Sequence, residues 1–326
     1  MYSSQNSETT LTRWKNTKVG KKVIPTCITV CRLLLIFSVG YIILFPLFSM
    51  ISTSLKTHDQ LLDPSVVWVP KSISFDNFGE AWRVMDFGHA LLKTLRINIV
   101  SALIQILTCA ITAYGFARFK FRFKSILLII LILTIIVPPQ MTVIPSYMNF
   151  REFDILGLLG LLGNLFNNNL NPNLINTPYT FILPSIFSVG IRSGLLIFIY
   201  MQFFRGLPKE LEEAAAIDGA GALKTFFKIV IPSSGIVILT VTIFSIIWHW
   251  NEYYLSIMYF SSDFTLAPRL SQLYTILELS GVKTHTAVVS GVVMAACLMF
   301  ILPILLMYLA LQRYFIQSIA RVGIVG

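Results

Sequence analysis

The chain has 326 residues, of which 56% are hydrophobic and only 12% charged, with a mean hydropathy of +0.76. A soluble domain averages roughly 25% charged residues, so this composition excludes an ordinary water-soluble globular protein and points to lipid as the main solvent. The formal net charge of +10 has to be read by position before it suggests nucleic acid, and Cys27, Cys31, Cys109 and Cys297, all in or beside apolar runs, fit small buried residues better than a disulfide framework or zinc site.

Residues 1–29 hold Arg13, Lys15, Lys18, Lys21 and Lys22 and are read as a cytoplasmic N-terminal segment. Six stretches then reach the roughly 20 apolar residues that a spanning helix needs. They fall near 30–52, 94–116, 126–148, 180–203, 229–250 and 288–311. The first is read as an uncleaved anchor, because "LFPLFSMIS" runs on without a cleavage site. The 53–93 loop mixes four basic residues with five acids. In the second span Asn98 and Gln105 share one helical face, with Thr108 close by. Such a stripe serves either to bind helices together or to line a solute path.

"RFKFRFK" (118–124) follows that span with no acid in it. Basic residues collect on alternate loops, here and at Arg205, Lys209, Lys224, Lys228, Arg313 and Arg321, while 149–179 has only Arg151. This places both termini in the cytoplasm and makes the basic stretch an orientation signal rather than a nucleic-acid site. The predicted fold is an all-α integral membrane protein with six transmembrane helices over 30–311 and a cytoplasmic tail at 312–326. Pro138 and Pro139 should break or bend the third span, leaving Gln140 beside freed backbone groups. In the outer connection, 155–166 is apolar but too short to span, and Asn167 to Asn169 with Pro172 read as turn and loop. This segment is either a contact for a binding protein or large substrate, or a neutral extension.

Between the fourth and fifth spans lies "RGLPKELEEAAAIDGAGALKTFFKIVIP" (205–232). Pro208 suits a first helical turn, Glu210, Glu212 and Glu213 suit the positive end of the helix dipole, and three alanines favour helix. Gly219 and Gly221 end or bend it. A short acidic helix with an alanine surface allows close approach to a partner's arginines. "GAGALKT" (219–225) lacks the spacing of a phosphate loop and follows no strand, so any ATP site belongs to another chain. His249 and Glu252 stand three apart, a spacing that metal sites use, but no third ligand joins them in the sequence, and no nucleophile–base set is evident. Trp248, Trp250 and Asn251 read either as an interfacial aromatic belt or as sugar contacts.

The loop resembles the signature of bacterial ATP-binding-cassette importer permeases: EAA, three residues, G, nine residues, I-x-L-P. Here Glu213-Ala214-Ala215 precedes Gly219, and Ile229-Val230-Ile231-Pro232 follows at the required gap, with Ile231 replacing the leucine. "WHWNEYY" (248–254) and "QRYFIQSIARVGIVG" (312–326) are similar to the carbohydrate-importer branch, closest to the maltose-type second permease, although the tail's small-residue pattern is altered. The resemblance implies a coupling helix at about 207–221 that docks on an ATPase subunit through Glu212, Glu213, Ala214, Ala215, Asp218, Gly219 and Pro232. It implies that Glu213 pairs with an ATPase arginine. It also implies a second permease forming a heterodimer, two ATPase subunits holding ATP and magnesium, an extracytoplasmic solute-binding protein, and a bacterial cytoplasmic-membrane location. The expected function is uptake of an oligosaccharide or related carbohydrate, with Asn98, Gln105, Gln140, Trp248, Trp250, Asn251 and Glu252 as candidate path residues. No cofactor, metal or catalytic site is expected in this chain. The alternative is an ion-gradient-driven secondary transporter, which would favour internal repeats or midplane charges. A membrane-embedded enzyme is the third reading.

Overall fold

The computed structural model describes residues 20–154, 157, 171–279 and 286–323. These residues form helices joined by turns, with no strand among them. Three helices are long and apolar enough to cross a bilayer unbroken: Ile28–Ser54 within α1 (Gly20–Ser54), all of α4 (Phe87–Arg118), and Thr286–Tyr314 within α14 (Thr286–Gly323). The short helices α2 (His58–Leu62) and α3 (Asp76–Val84) lie between the first two.

The other expected spans are interrupted. Residues 126–148 divide into α5 (Lys124–Ile136) and α6 (Pro139–Arg151), bent by 104°. The prolines cause this: Val137 is held extended ahead of Pro138, and Pro139 restarts the helix at a position that needs no N–H. Residues 229–250 belong to a second bent pair, α10 (Ala222–Ser233) and α11 (Gly235–Trp250), at 83°. Pro232 contributes no N–H and crowds the carbonyl one turn back, and Phe226–Val230 is wound as a π-helix just before it. The sequence pattern did not signal this bend. The expected continuous helix 180–203 is also corrected: α7 (Tyr179–Ile186) and α8 (Ser193–Gly206) are separated by 187–192. Pro184 weakens the first piece, and Ser188 (φ 58°) and Arg192 (φ 50°) adopt left-handed backbone. The chain continues through α9 (Glu210–Ile217), α12 (Tyr254–Tyr259) and α13 (Leu266–Leu279).

Helix α4 passes through all three buried cores. Cys109, Ala110, Ala113 and Tyr114 pack with α8, α10 and α11; Phe87 and Ala90 pack with α13, α14 and Trp250; Ile97 packs with Phe150, Phe181, Tyr259 and Phe260. By contrast, none of the most apolar stretch of α1 is buried within the chain. Lipid offers no hydrophobic drive between helices, so close packing and interhelical hydrogen bonds must hold this bundle. The segment 1–19, residues 155–156 and 158–170 of the connection 149–179, and 324–326 of the tail lie outside the described residues.

Candidate coupling segment and polar positions in the spans

Helix α9 is shorter than the expected 207–221, and its first turn starts after Pro208, with Lys209 as the capping residue. The carbonyl of Lys209 accepts from the N–H groups of Glu212 (2.9 Å) and Glu213 (3.0 Å). At the other end Gly219 has φ +75°, its N–H donates to Ala216, and the N–H of Ala220 donates to Ala215. This is a Schellman ending, in which a left-handed glycine lets the last carbonyls find donors. Asp218 is the C-cap.

The two central glutamates have different surroundings. Glu213 is exposed, as are Ala214, Ala216 and Ile217. Glu212 turns inward: its Oε1 lies 2.6 Å from Nε of Arg118, and the Tyr114 hydroxyl donates to Oε2 at 3.2 Å. The Arg118 and Glu212 side chains are only 8% and 19% exposed. Arg118 also donates through Nη2 to the carbonyl of Leu207 at 2.8 Å. Within the chain, then, Glu212 is turned away from the exposed surface that carries Glu213. On a helix its carboxylate points about 100° away from that of Glu213, and the structure directs it to the end of α4. Ala215 is buried on the same inner side, and Pro232 is exposed in the last turn of α10. Arg118 and Tyr114 were not singled out from the sequence as site residues. Their i, i+4 spacing puts them on one face of α4, but the acid they meet is far away in the chain.

The candidate path residues do not form one surface. Gln105 has no exposed area: it donates to the carbonyl of Ile191 (2.8 Å) and to Ser193 Oγ (2.7 Å), and accepts from Ser245 Oγ (2.6 Å). It ties α4 to α8 and α11. Asn98 is buried on the same face, and its amide nitrogen has no hydrogen-bond partner among the described residues. Trp250 is 3% exposed and packs against Phe300 in the core shared with α13 and α14. Trp248 stacks on Phe244 at 5.3 Å, with the Arg192 guanidinium 5.1 Å from its ring. Residues two apart on a helix point about 200° from one another, so the two tryptophans separate. Gln140 is exposed at the α5–α6 bend. The amide of Asn251 bonds back to Ile247, and Glu252 accepts from the Leu255 N–H at 3.0 Å.

The family model described as binding-protein-dependent transport system inner membrane component matches residues 105–321. The chain belongs to this family. The match starts at the Gln105 tie and includes the α9 segment. The chain is 32% identical over 283 residues to the melibiose/raffinose/stachyose import permease protein MelC of Bacillus subtilis (strain 168), covering 86% of this chain and 91% of that protein. It is 25% identical over 295 residues to the sn-glycerol-3-phosphate transport system permease protein UgpE of Yersinia pestis, covering 89% and 94%. Among solved structures, a chain of a bacterial ABC transporter involved in the import of the acidic polysaccharide alginate shares the fold, with TM-score 0.70, 20% identity, and coverage of 89% of this chain and 97% of that one. As a family member, this protein is a membrane transport component rather than a catalyst.

Proposed function

We propose that this chain is one of two permease subunits in an ATP-driven importer of carbohydrates or related polyhydroxy solutes. The observation that carries the proposal is α9: a short helix with an exposed alanine and glutamate surface, capped by Gly219 and tied to α4, with the signature spacing of importer permeases. The solute class is supported by relatives named for melibiose, raffinose and stachyose import, and for sn-glycerol-3-phosphate transport. ATP and magnesium belong to two ATPase subunits. A second permease completes the path, and an extracytoplasmic binding protein delivers solute. In this reading the chain spans the bacterial cytoplasmic membrane six times, counting bent and broken helices as spans, with α9 and both termini in the cytoplasm.

The mechanism follows from the split of the two glutamates. Glu213 faces outward and meets an arginine of the ATPase, with Ala214 allowing close approach. Asp218 and Gly219 shape the end of the helix, and Pro232 lies before the hinge into α11. Closure of the ATPase pair displaces α9. The Glu212–Arg118 pair passes that displacement to α4, and Gln105 passes it on to α8 and α11. The spans then rock as bodies between two arrangements. Trp248, Asn98, Gln140, Asn251 and Glu252 remain the candidates for contact with solute along the path.

The test is solute-stimulated ATP hydrolysis by the complex in lipid vesicles, comparing wild type with Glu213→Ala. Removing a charge-assisted contact across an interface is expected to lower stimulation about tenfold or more, by analogy with the ~1.5–3 kcal/mol of such bonds. Unchanged assembly, hydrolysis and transport in the variant would reject the coupling role of α9.

A further inference from the structure

The loop that follows α1 has a feature that the transport reading does not use. Lys56 is only 7% exposed, and its ammonium donates to the carbonyls of Val66 (2.7 Å) and Val67 (2.9 Å). Asn77 fixes the same corner by donating to the carbonyls of Ser54 and Lys56. The Ser52 hydroxyl donates to the carbonyl of Trp68. These bonds fold the segment "VVWVP" (66–70) back along the end of α1 rather than away from it.

The consequence is the depth that Trp68 reaches. Its ring meets Phe45 edge-on, with centroids 5.1 Å apart. Phe45 lies on α1 well before the end of the helix at Ser54, about 13 Å along the axis at ~1.5 Å per residue. The apolar stretch of α1 around it is unburied within the chain and composed to cross a bilayer. Val67, Trp68 and Val69 are 62%, 51% and 79% exposed, so the turned-back tip continues the apolar surface of α1. The other side of the loop is polar. Lys71 and Asp63 form an exposed ion pair at 2.9 Å, and Gln60 accepts from the Lys71 N–H at 3.0 Å. Lys71, through its hydrogen bond, holds the Asp63 carboxyl well below the usual carboxylate range.

We propose that Val67, Trp68 and Val69 form a wedge embedded in the headgroup–acyl boundary of the bilayer, with Lys56 as the internal pin that sets its depth. Tryptophan suits this layer, since its body is apolar and its indole N–H seeks a polar partner. An apolar tip with a charged reverse side is the arrangement expected of an interfacial element. The wedge fixes the height of α1 in the membrane and, through Asn77 and α3, of the outer end of α14, on which α3 packs. The proposal does not depend on the identity of the solute.

The test is quenching of Trp68 fluorescence in the assembled complex, reconstituted in phosphatidylcholine vesicles brominated at shallow or at deep acyl positions. The difference between wild type and Trp68→Phe isolates this residue from the other tryptophans. The expected result is loss of most of the Trp68 emission with shallow bromines, a smaller loss with deep bromines, and little quenching by aqueous acrylamide. Quenching by acrylamide alone would place the tip in water and overturn the proposal. Protection from both quenchers would place it under another protein chain, which also overturns it. If Trp68→Phe does not assemble, Val69→Cys carrying an environment-sensitive fluorophore gives the same three-way readout.

Discussion

Gln105 is buried in an apolar bundle, and every polar atom of its amide is used. Both donors and the acceptor oxygen go to groups outside α4: the Ile191 carbonyl in the break before α8, Ser193 on α8 and Ser245 on α11. Each such tie within a membrane is worth about 0.6 kcal/mol on average, and stranding buried partners costs more. Gln105→Ala should therefore destabilise the assembled protein by roughly 1–3 kcal/mol. The solute KM of the molecules that do assemble should stay unchanged, as expected of a structural tie and not of a path lining. Thermal denaturation alongside transport kinetics separates the two; a raised KM at unaltered stability would return Gln105 to the path. The same reasoning separates Trp248 from Trp250. Trp248, with Arg192 over its ring, is only partly buried at the edge of the first core, whereas Trp250 is enclosed in the second.

At the scale of the elements, α5 and α8 come close together at Gly194. A methyl group there would strike Thr134 Oγ1 and lie 3.3 Å from Ile135 Cγ1 and 3.4 Å from the Leu131 carbonyl oxygen. The carbonyl contact is an ordinary one, but the threonine hydroxyl must move, and it donates to that same Leu131 carbonyl, so making room costs its hydrogen bond while Ile135 is also pressed. Gly194→Ala should cost roughly 1–3 kcal/mol by overpacking and lower the thermal midpoint. Gly206→Ala, near the end of the same helix with nothing within 4 Å of the added carbon, is the matched control and should be neutral. Helix α9 has its own glycine requirement. Gly219→Ala forces a side chain into φ +75°, at a cost of about 1–2 kcal/mol. Gly221, with φ −71° at the N-cap of α10, should accept alanine without backbone strain and at no more than the modest cost of a weaker cap. A reduced transport rate for the first change and none for the second, in complexes of equal abundance, would show that the Schellman ending holds the coupling surface in shape.

At the scale of the whole molecule, α4 connects the segment at one end of the bundle to all three cores. Its last residue, Arg118, holds Glu212, its middle holds Gln105, and its beginning packs with α13 and α14. The expectation is a loss of coupling rather than a loss of hydrolysis when the Arg118–Glu212 pair is broken. Glu212→Gln should retain nucleotide turnover but deliver fewer solute molecules per ATP. The double change Arg118→Glu with Glu212→Arg should recover part of that ratio, because the pair is restored with reversed sign. Equal transport per ATP in wild type and Glu212→Gln would reject the strut. This outcome differs from that expected for Glu213→Ala, which acts on the joint with the ATPase.

The sequence by itself determined the solvent, the class and the family. Runs of about 20 apolar residues have few other uses, Pro138–Pro139 marked a bend by local backbone chemistry, and the fixed gaps from Glu213 to Pro232 carried the resemblance. Gly219 was legible for the same local reason, since a helix ending with φ above zero favours glycine. Tertiary structure decided which polar side chains bind helices together and which face outward. Asn98 and Gln105, or Glu212 and Glu213, look equivalent in sequence because their roles depend on partners scores of residues away. The fracture of 180–203 was hidden too: its apolar composition satisfies a spanning helix, while the left-handed turns at Ser188 and Arg192 are held by contacts such as Thr112 with Ser188 and Gln105 with Ile191. Hydropathy reports transfer between solvents, which is local and additive. Pairing and breakage depend on how distant segments meet, and only the folded chain fixes that.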